Sequence, residues 1–242
     1  MLVNTSSSFA FLFKLILSVL LAVSLPACLL GQDGSAPPSS IFFSTFAEEA
    51  YSTYQMTNGN GDLWPSCWSN DGNVYSANGD GTGFSNPAVF AAMRVARIFG
   101  MPPNLTGTDV AGDVGRNYTG SNVYTDKPTG MACVDGVIYL AFQNLNEQTF
   151  EYAPAASIVA SADHGKTWTA PSATPMFGAA NNTDPSVPAL FTTIMFLDYG
   201  KGYGEAPDTF VYAYGFDNNW RDQQQVYLAR VPRYAVLQRE AW

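Results

Sequence analysis

Two aspartates bracket one short stretch, NGNGDLWPSCWSNDGNVYSANGDGTGF (residues 58–84): Asp62 and Asp80, each set among glycines. Paired carboxylates suit three kinds of work. They can bind a cation, cap turns, or divide acid and base duties between them. Between them, aromatic and apolar residues run to Asn70-Asp71-Gly72 and return, the pattern of a hairpin. If residues 70–72 form a three-residue loop, Asp62 lies opposite Asp80; if Asp71 and Gly72 alone form it, Asp62 lies opposite Gly81. Either register brings both carboxylates to the open end of one hairpin. Directly opposed Cβ atoms lie about 5 Å apart, unless a bulge among the flanking glycines shifts the pairing.

Two carboxylates that close repel, so one holds its proton more tightly. Glycoside hydrolysis needs such a pair, at about 5–5.5 Å for retention or about 6.5–9.5 Å for inversion. Hairpin arithmetic leaves both outcomes open. Trp64 and Trp68 fall on the strand face of Asp62 at spacing two, either as stacking surfaces for sugar rings or as core. The non-catalytic alternative for Asp62 and Asp80 is turn capping in Gly-rich loops. A metal fits poorly. An EF-hand aligned on Ser76 puts serine at the first ligand position and Pro87 at the twelfth, where glutamate belongs. The chain has one histidine, His164, and no CxxC pair, so zinc and His-dependent nucleophilic catalysis lack a ligand set. No P-loop or dinucleotide fingerprint is present, and no cofactor is expected.

The elements that position these residues are strands. The 242-residue chain is 47% hydrophobic and only 13% charged, with 21 glycines, 15 prolines, 13 tyrosines and 16 phenylalanines. That composition suits many short strands joined by tight turns. Runs such as LWPSCWS, NVYSAN, AAMRVARIF, GMACV, VIYLAFQN, ASIVAS, TTIMFLDYG, TFVYAYGF and QVYLARVP are β-branched and aromatic, separated by Gly, Asn, Asp and Pro. Helical character is confined to AEEAYSTYQ (48–56). Three hairpins carry an aspartate at the turn, Asp71, Asp135 and Asp208, each followed by an apolar strand with tyrosine. Their spacing of roughly 65–70 residues predicts propeller blades. Ser161-Ala-Asp-His-Gly-Lys-Thr-Trp168 fits S-x-D-x-G-x-T-W, the Asp box of sialidase-like propellers, with His164 at a free position. Such a box shapes a turn on the outside of a blade and carries no chemistry.

The net charge of −9 argues against nucleic acid and anionic membrane surfaces. Lys14 followed by LILSVLLAVSL (15–25) reads as a signal peptide over residues 1–31, too short for a comfortable membrane span, with cleavage after Ala27 or Gly31. A lipid anchor at Cys28 and an uncleaved signal anchor are the alternatives. Residues 32–57 form a lead-in and 58–242 the propeller domain. A secreted monomer is expected. Asn104, Asn117 and Asn181 stand in glycosylation triplets. Cys67 and Cys133 remain after the signal, either disulfide-bonded or as two buried thiols.

GDLWPSCWSNDGNVYSANGDGTGF resembles the opening of the DUF4185 family of bacterial and fungal propellers. The resemblance continues through RVARIFGMPPNLTG, DKPTGMACVDGVIYL, SADHGKTWT, FLDYGKGYGEAPDTFVYAYG and VYLARVP, covering about residues 60–242. Some members are endo-acting D-arabinanases of glycoside hydrolase family 183, built as five-bladed propellers. The resemblance implies a catalytic pair at Asp62 and Asp80. Lys127 in DKPTG and Asp208 in APD match family motifs too, either as substrate contacts or as loop structure. Three recognisable units fill this chain where the family has five blades, so a C-terminally incomplete propeller of about three blades is expected. The leading function is a secreted glycoside hydrolase acting on a furanose polysaccharide. The alternatives are a non-catalytic carbohydrate-binding propeller and an exo-sialidase, although Arg230-Val-Pro232 lies downstream of the Asp box rather than upstream.

Overall fold

The computed structural model describes residues 60–84, 89–101, 104–112, 114, 124–146, 148–171, 175–178, 189–221 and 225–242. The expected signal peptide, Cys28, the lead-in, the 48–56 helical stretch and the triplets at Asn117 and Asn181 lie outside these residues.

The described chain is all-β. Blade 1 comprises β1 (Ser66–Trp68), β2 (Val74–Gly81), β3 (Ala91–Met101) and β4 (Asn104–Gly112), paired in that order. Blade 2 comprises β5 (Tyr124–Val134), β6 (Val137–Asn146), β7 (Ala155–Ser161) and β8 (Phe177–Gly178). Blade 3 comprises β9 (Thr193–Phe196), β10 (Phe210–Phe216) and β11 (Tyr227–Pro232). Every pairing is antiparallel between strands consecutive in sequence, so each sheet is a meander. The sheets stack in chain order, which is the arrangement of propeller blades.

Blade 2 explains why its sequence shows no alternation. Met131, Cys133, Ile138, Leu140, Phe142 and Val159 pack with Cys67, Tyr75, Ala77, Met93 and Val95 of blade 1. Ala132, Val134, Tyr139, Ala141, Ala156 and Ile158 pack with Ile194, Val211, Ala213 and Val231 of blade 3. Both faces of β6 are therefore buried, and VIYLAFQN reads as one continuous apolar run. Trp242 closes the second core against Phe177, Phe191 and Phe196.

Two turns show how local chemistry sets register. Ser69 N–H donates to Asn73 O (2.9 Å) and Gly72 N–H to Ser69 O (3.0 Å), with Gly72 at φ 87°. Residues 70–72 are thus a three-residue loop with glycine in the left-handed position. The Asp71 carboxylate accepts from Asn73 N–H (2.9 Å) and from the Tyr75 hydroxyl (2.8 Å). Asp208 does the same with Phe210 N–H (2.9 Å) and the Tyr212 hydroxyl (2.6 Å). The i, i+4 Asp–Tyr clamp is therefore repeated between blades 1 and 3. Asp135 has the same spacing to Tyr139, but it sits at φ 50° in a two-residue Asp135-Gly136 turn and pairs with Arg233 (3.2 Å).

The structure departs from the sequence reading at β4. The segment NLTGTDVAG is a nine-residue strand although glycine, threonine and asparagine fill it. It is the outer edge of blade 1, half exposed, and β3 supplies its hydrogen bonds. Asn104 opens this strand as an exposed residue.

Candidate active site

The blades have two ends. At one lie the β1–β2 and β5–β6 turns and the Lys201–Tyr203 3-10 turn, joined where Asp135 N–H donates to Gly202 O (3.3 Å). The Ser161–Trp168 turn belongs here too. Asp163 accepts from Thr167 N–H (2.9 Å) and Thr167 Oγ1 (2.6 Å), which holds its carboxyl down at about pKa 2. His164 stacks on Tyr75 with ring centroids 6.0 Å apart, and its Nε2 lies 3.7 Å from Asp71 Oδ2. The one histidine is thus a packing partner between the first two blades.

The other end carries Asp62 and Asp80. Pairing continues past β1 through Pro65, whose carbonyl accepts from Ala77 N–H (2.9 Å). Leu63 and Trp64 then take left-handed φ values of 68° and 33°, and the Asp62 carbonyl accepts from Trp64 N–H (2.9 Å). This inserts one extra residue into the first strand, a bulge. Asp62 therefore pairs with Gly79, exchanging two hydrogen bonds of 2.8 and 2.9 Å, and not with Asp80 or Gly81. Asp80 is the next residue along, itself at φ 42°.

The same bulge corrects the tryptophan stripe. Trp64 folds back so that Nε1 donates to Gly61 O (3.1 Å) and its ring meets Phe84 edge-on at 5.3 Å. Trp68 lies at the opposite, turn end, where Nε1 donates to Gly72 O (3.3 Å). Strand alternation from Asp62 fails because the residues between are not extended.

Glycines let the Asp62 loop lie flat on β2. A Cβ on Gly79 would stand 2.6 Å from Asp62 Oδ1 and 3.3 Å from Pro128 Cδ, so this carboxylate sits between β2 and β5. A Cβ on Gly81 would collide with the Asn60 carbonyl oxygen, which accepts from Thr82 N–H (3.0 Å) and Gly83 N–H (3.0 Å). Gly81→Ala is expected to lift this strap and the Asp62 carboxylate with it, costing about 1–3 kcal/mol of stability as overpacking does. Thermal melting of the variant beside Gly112→Ala, whose Cβ would meet nothing nearer than Arg94 Nη1 at 3.6 Å, checks the effect.

Blade 2 answers from across the gap. The register of β5 on β6 shifts between Pro128 and Gly130, and a bulge of this kind re-aims the residues beyond it. Asp126 and Lys127 lie there, opposite Asn144 and Gln143. The Lys127 ammonium forms an ion pair with Asp80 Oδ1. Its side chain is only 4% exposed, against 38% for Asp80. Asp126 is buried and accepts from Asn144 Nδ2. Burial pushes its carboxyl up to about pKa 7, against the opposing pull of the Asn144 hydrogen bond and the Lys127 charge. Gln143 Oε1 accepts from Thr193 Oγ1 of blade 3 (2.5 Å), and Asn78 of β2 is fully buried nearby in sequence to Asp80. Buried polar residues thus come from β2, β5, β6 and β9, an arrangement that the apolar cores beneath do not show.

Of the sequence candidates, Asp62, Asp80 and Lys127 come together at this end. Asp208 does not. Both of its oxygens are engaged within its own turn, and the Tyr212 hydroxyl is the main reason its carboxyl is held below the usual range. Asp126 and Asn144 were missed. The only sequence signal is that DKPTG places two charges beside a proline in an otherwise apolar strand. Among the described residues no group of three His, Cys, Asp or Glu side chains could hold a metal ion. The Cys67 and Cys133 sulfurs are bonded (2.02 Å), joining β1 to β5.

No protein-family model matches the chain. No curated protein matches it either. Among solved structures, the chain is similar to a "putative hydrolase" of Bacteroides ovatus, with 10% identity and a TM-score of 0.44 over 77% of this chain and 52% of that one. It is also similar to the endosialidase of phage phi92, with 14% identity and a TM-score of 0.33 over 68% of this chain and 21% of that one. The chain therefore spans about half the length of the first and about a fifth of the second.

Proposed function

We propose that this chain is a secreted glycoside hydrolase of the DUF4185 type that cleaves a furanose polysaccharide, D-arabinan in the first instance. Asp62 and Asp80 form the carboxylate pair, as acid and base or as acid and nucleophile. The observation that carries this reading is their convergence. One glycine-lined bridge brings both aspartates to the same end of blade 1, and Lys127 of blade 2 meets one of them there. The pair differs in environment, with an ammonium group on Asp80 and the Gly79 surface beneath Asp62. Two carboxylates in unlike settings are what a divided acid–base task requires.

The test is a screen of the protein against arabinan, arabinogalactan and other plant, fungal and bacterial polysaccharides, reading oligosaccharide release. Release from an arabinofuranose polymer is expected. Release from none of them sinks the reading. The second reading is a non-catalytic carbohydrate-binding propeller. It is favoured by the Asp80–Lys127 ion pair, which occupies a carboxylate that a hydrolase would need. Retention on a polysaccharide gel without release of product would select it.

A further inference from the structure

We propose that the β6–β7 loop, residues 148–154, is a glycan-binding surface at the carboxylate end, with Phe150 and Tyr152 as stacking rings for a neutral sugar chain that continues out of the site. Strand β6 delivers the loop to this end. Asn144, which bonds Asp126, stands two residues before Asn146, the last residue of β6, a strand rise of about 7 Å. Asn146 then builds the turn. Its Oδ1 accepts from Gln148 N–H (2.9 Å) and Thr149 N–H (3.1 Å), and its carbonyl accepts from Phe150 N–H (2.9 Å). Closing that turn leaves Phe150 at φ 53°, a left-handed value that suits glycine or asparagine. The Phe150 side chain gains little packing in return, because the residue is 52% exposed. A bulky residue held against its own backbone preference, with its ring in water, points to a use outside the fold.

The loop is fixed to blade 3 and presents its rings in place. Tyr152 forms a bridge with Asn219, Ala153 N–H donates to Asn218 O (3.0 Å), and Trp220 N–H donates to Glu151 O (2.8 Å). Tyr152 is 51% exposed all the same. Little ordering remains to be lost when a ligand arrives. The chemistry favours sugars over a protein partner. Gln148 and Thr149 are exposed beside Phe150, and Glu151 separates the two rings, so they do not merge into one apolar patch. A stable protein contact needs a contiguous core within about 800 Å² per partner. Single rings set among amide, hydroxyl and charged groups suit a sugar, whose C–H face stacks while its hydroxyls form hydrogen bonds. Glu151 and Arg221 pair with each other (2.7 Å), which leaves the loop no uncommitted charge of its own for an anionic glycan. The choice of a glycan rests on the carbohydrate reading of this end; the strained, exposed ring does not.

Affinity electrophoresis of the full chain in gels cast with arabinan or arabinogalactan tests this without requiring turnover. The wild type should be retarded in at least one gel. Phe150→Gly and Tyr152→Ala should each weaken that affinity about tenfold, the scale of one aromatic contact. Tyr234→Ala removes an 86% exposed ring from the opposite, turn end and should run as wild type. Melting temperature separates binding from structure. Phe150→Gly should hold it within a few degrees, because glycine suits φ 53° and the ring packs little. Lost affinity with melting preserved is the expected result. Wild-type mobility in both ring variants, or a wild type that neither gel retards, overturns the proposal. A fall of more than about 5 °C in Phe150→Gly overturns it too, since the ring then serves the fold. On arabinan, the loss should appear in KM rather than in kcat. Absence of release in the wild type and every variant, with the retardation pattern intact, overturns the hydrolase reading instead and leaves the binding surface standing.

Discussion

Asp80→Asn and Asp62→Asn should each lower reducing-end release from arabinan by about 10³-fold, the scale of losing a positioned acid or base. Melting temperature should stay within a few degrees for Asp62→Asn and fall further for Asp80→Asn. Asp62 is tied to Gly79 by its backbone, and the asparagine backbone makes the same two bonds. Asp80 is the more informative site. Replacing it with asparagine leaves Lys127 buried at 4% exposure facing a neutral amide. Some stability is therefore lost, because a buried charge has lost its partner. Lys127→Met in the Asp80→Asn background should recover it while turnover stays low. That pattern separates a catalytic carboxylate from a structural one. If both single variants keep wild-type turnover, the pair is turn structure and the carbohydrate-binding reading takes over.

What the sequence revealed follows from which forces are local. The place of the first turn, though not its length, was legible because Gly72 is the residue that tolerates φ 87° there. The blade repeat was legible because Asp71 and Asp208 clamp tyrosines four residues on by the same bonds. The exact partner of Asp62 was not legible. Its shift onto Gly79 comes from left-handed Leu63 and Trp64, residues with no intrinsic preference for that region. Trp64 is held there by Gly61 O and by Phe84, and the Phe84 contact comes from beyond β2. Asp126 was missed for a related reason. A charge next to proline looks like a loop residue, and nothing local announces that it will be buried. Strand β4 was hidden because an edge strand half exposed to water needs neither alternation nor β-branched residues.

Cutting the Cys67–Cys133 bond should lower stability by about 4 kcal/mol, the chain-entropy value for a loop of this size. The two residues are 66 positions apart, so the bond restricts a large part of the unfolded chain. For a domain of this length that is about 8–16 °C in melting temperature. The location adds a consequence for the site. Cys67 and Cys133 both lie in the core between blades 1 and 2, and that core fixes the spacing of β2 and β5. Asp80 stands on one of these strands and Lys127 on the other. A double Cys67→Ser, Cys133→Ser variant should therefore melt early and also lose turnover at temperatures well below its own midpoint. Wild-type protein in reductant should match it, which separates the bond from the substitutions. If reductant and the double variant each move the midpoint by less than about 2 °C, packing of Phe142, Met93 and Leu140 alone sets the blade spacing. The ion pair would then owe nothing to the crosslink.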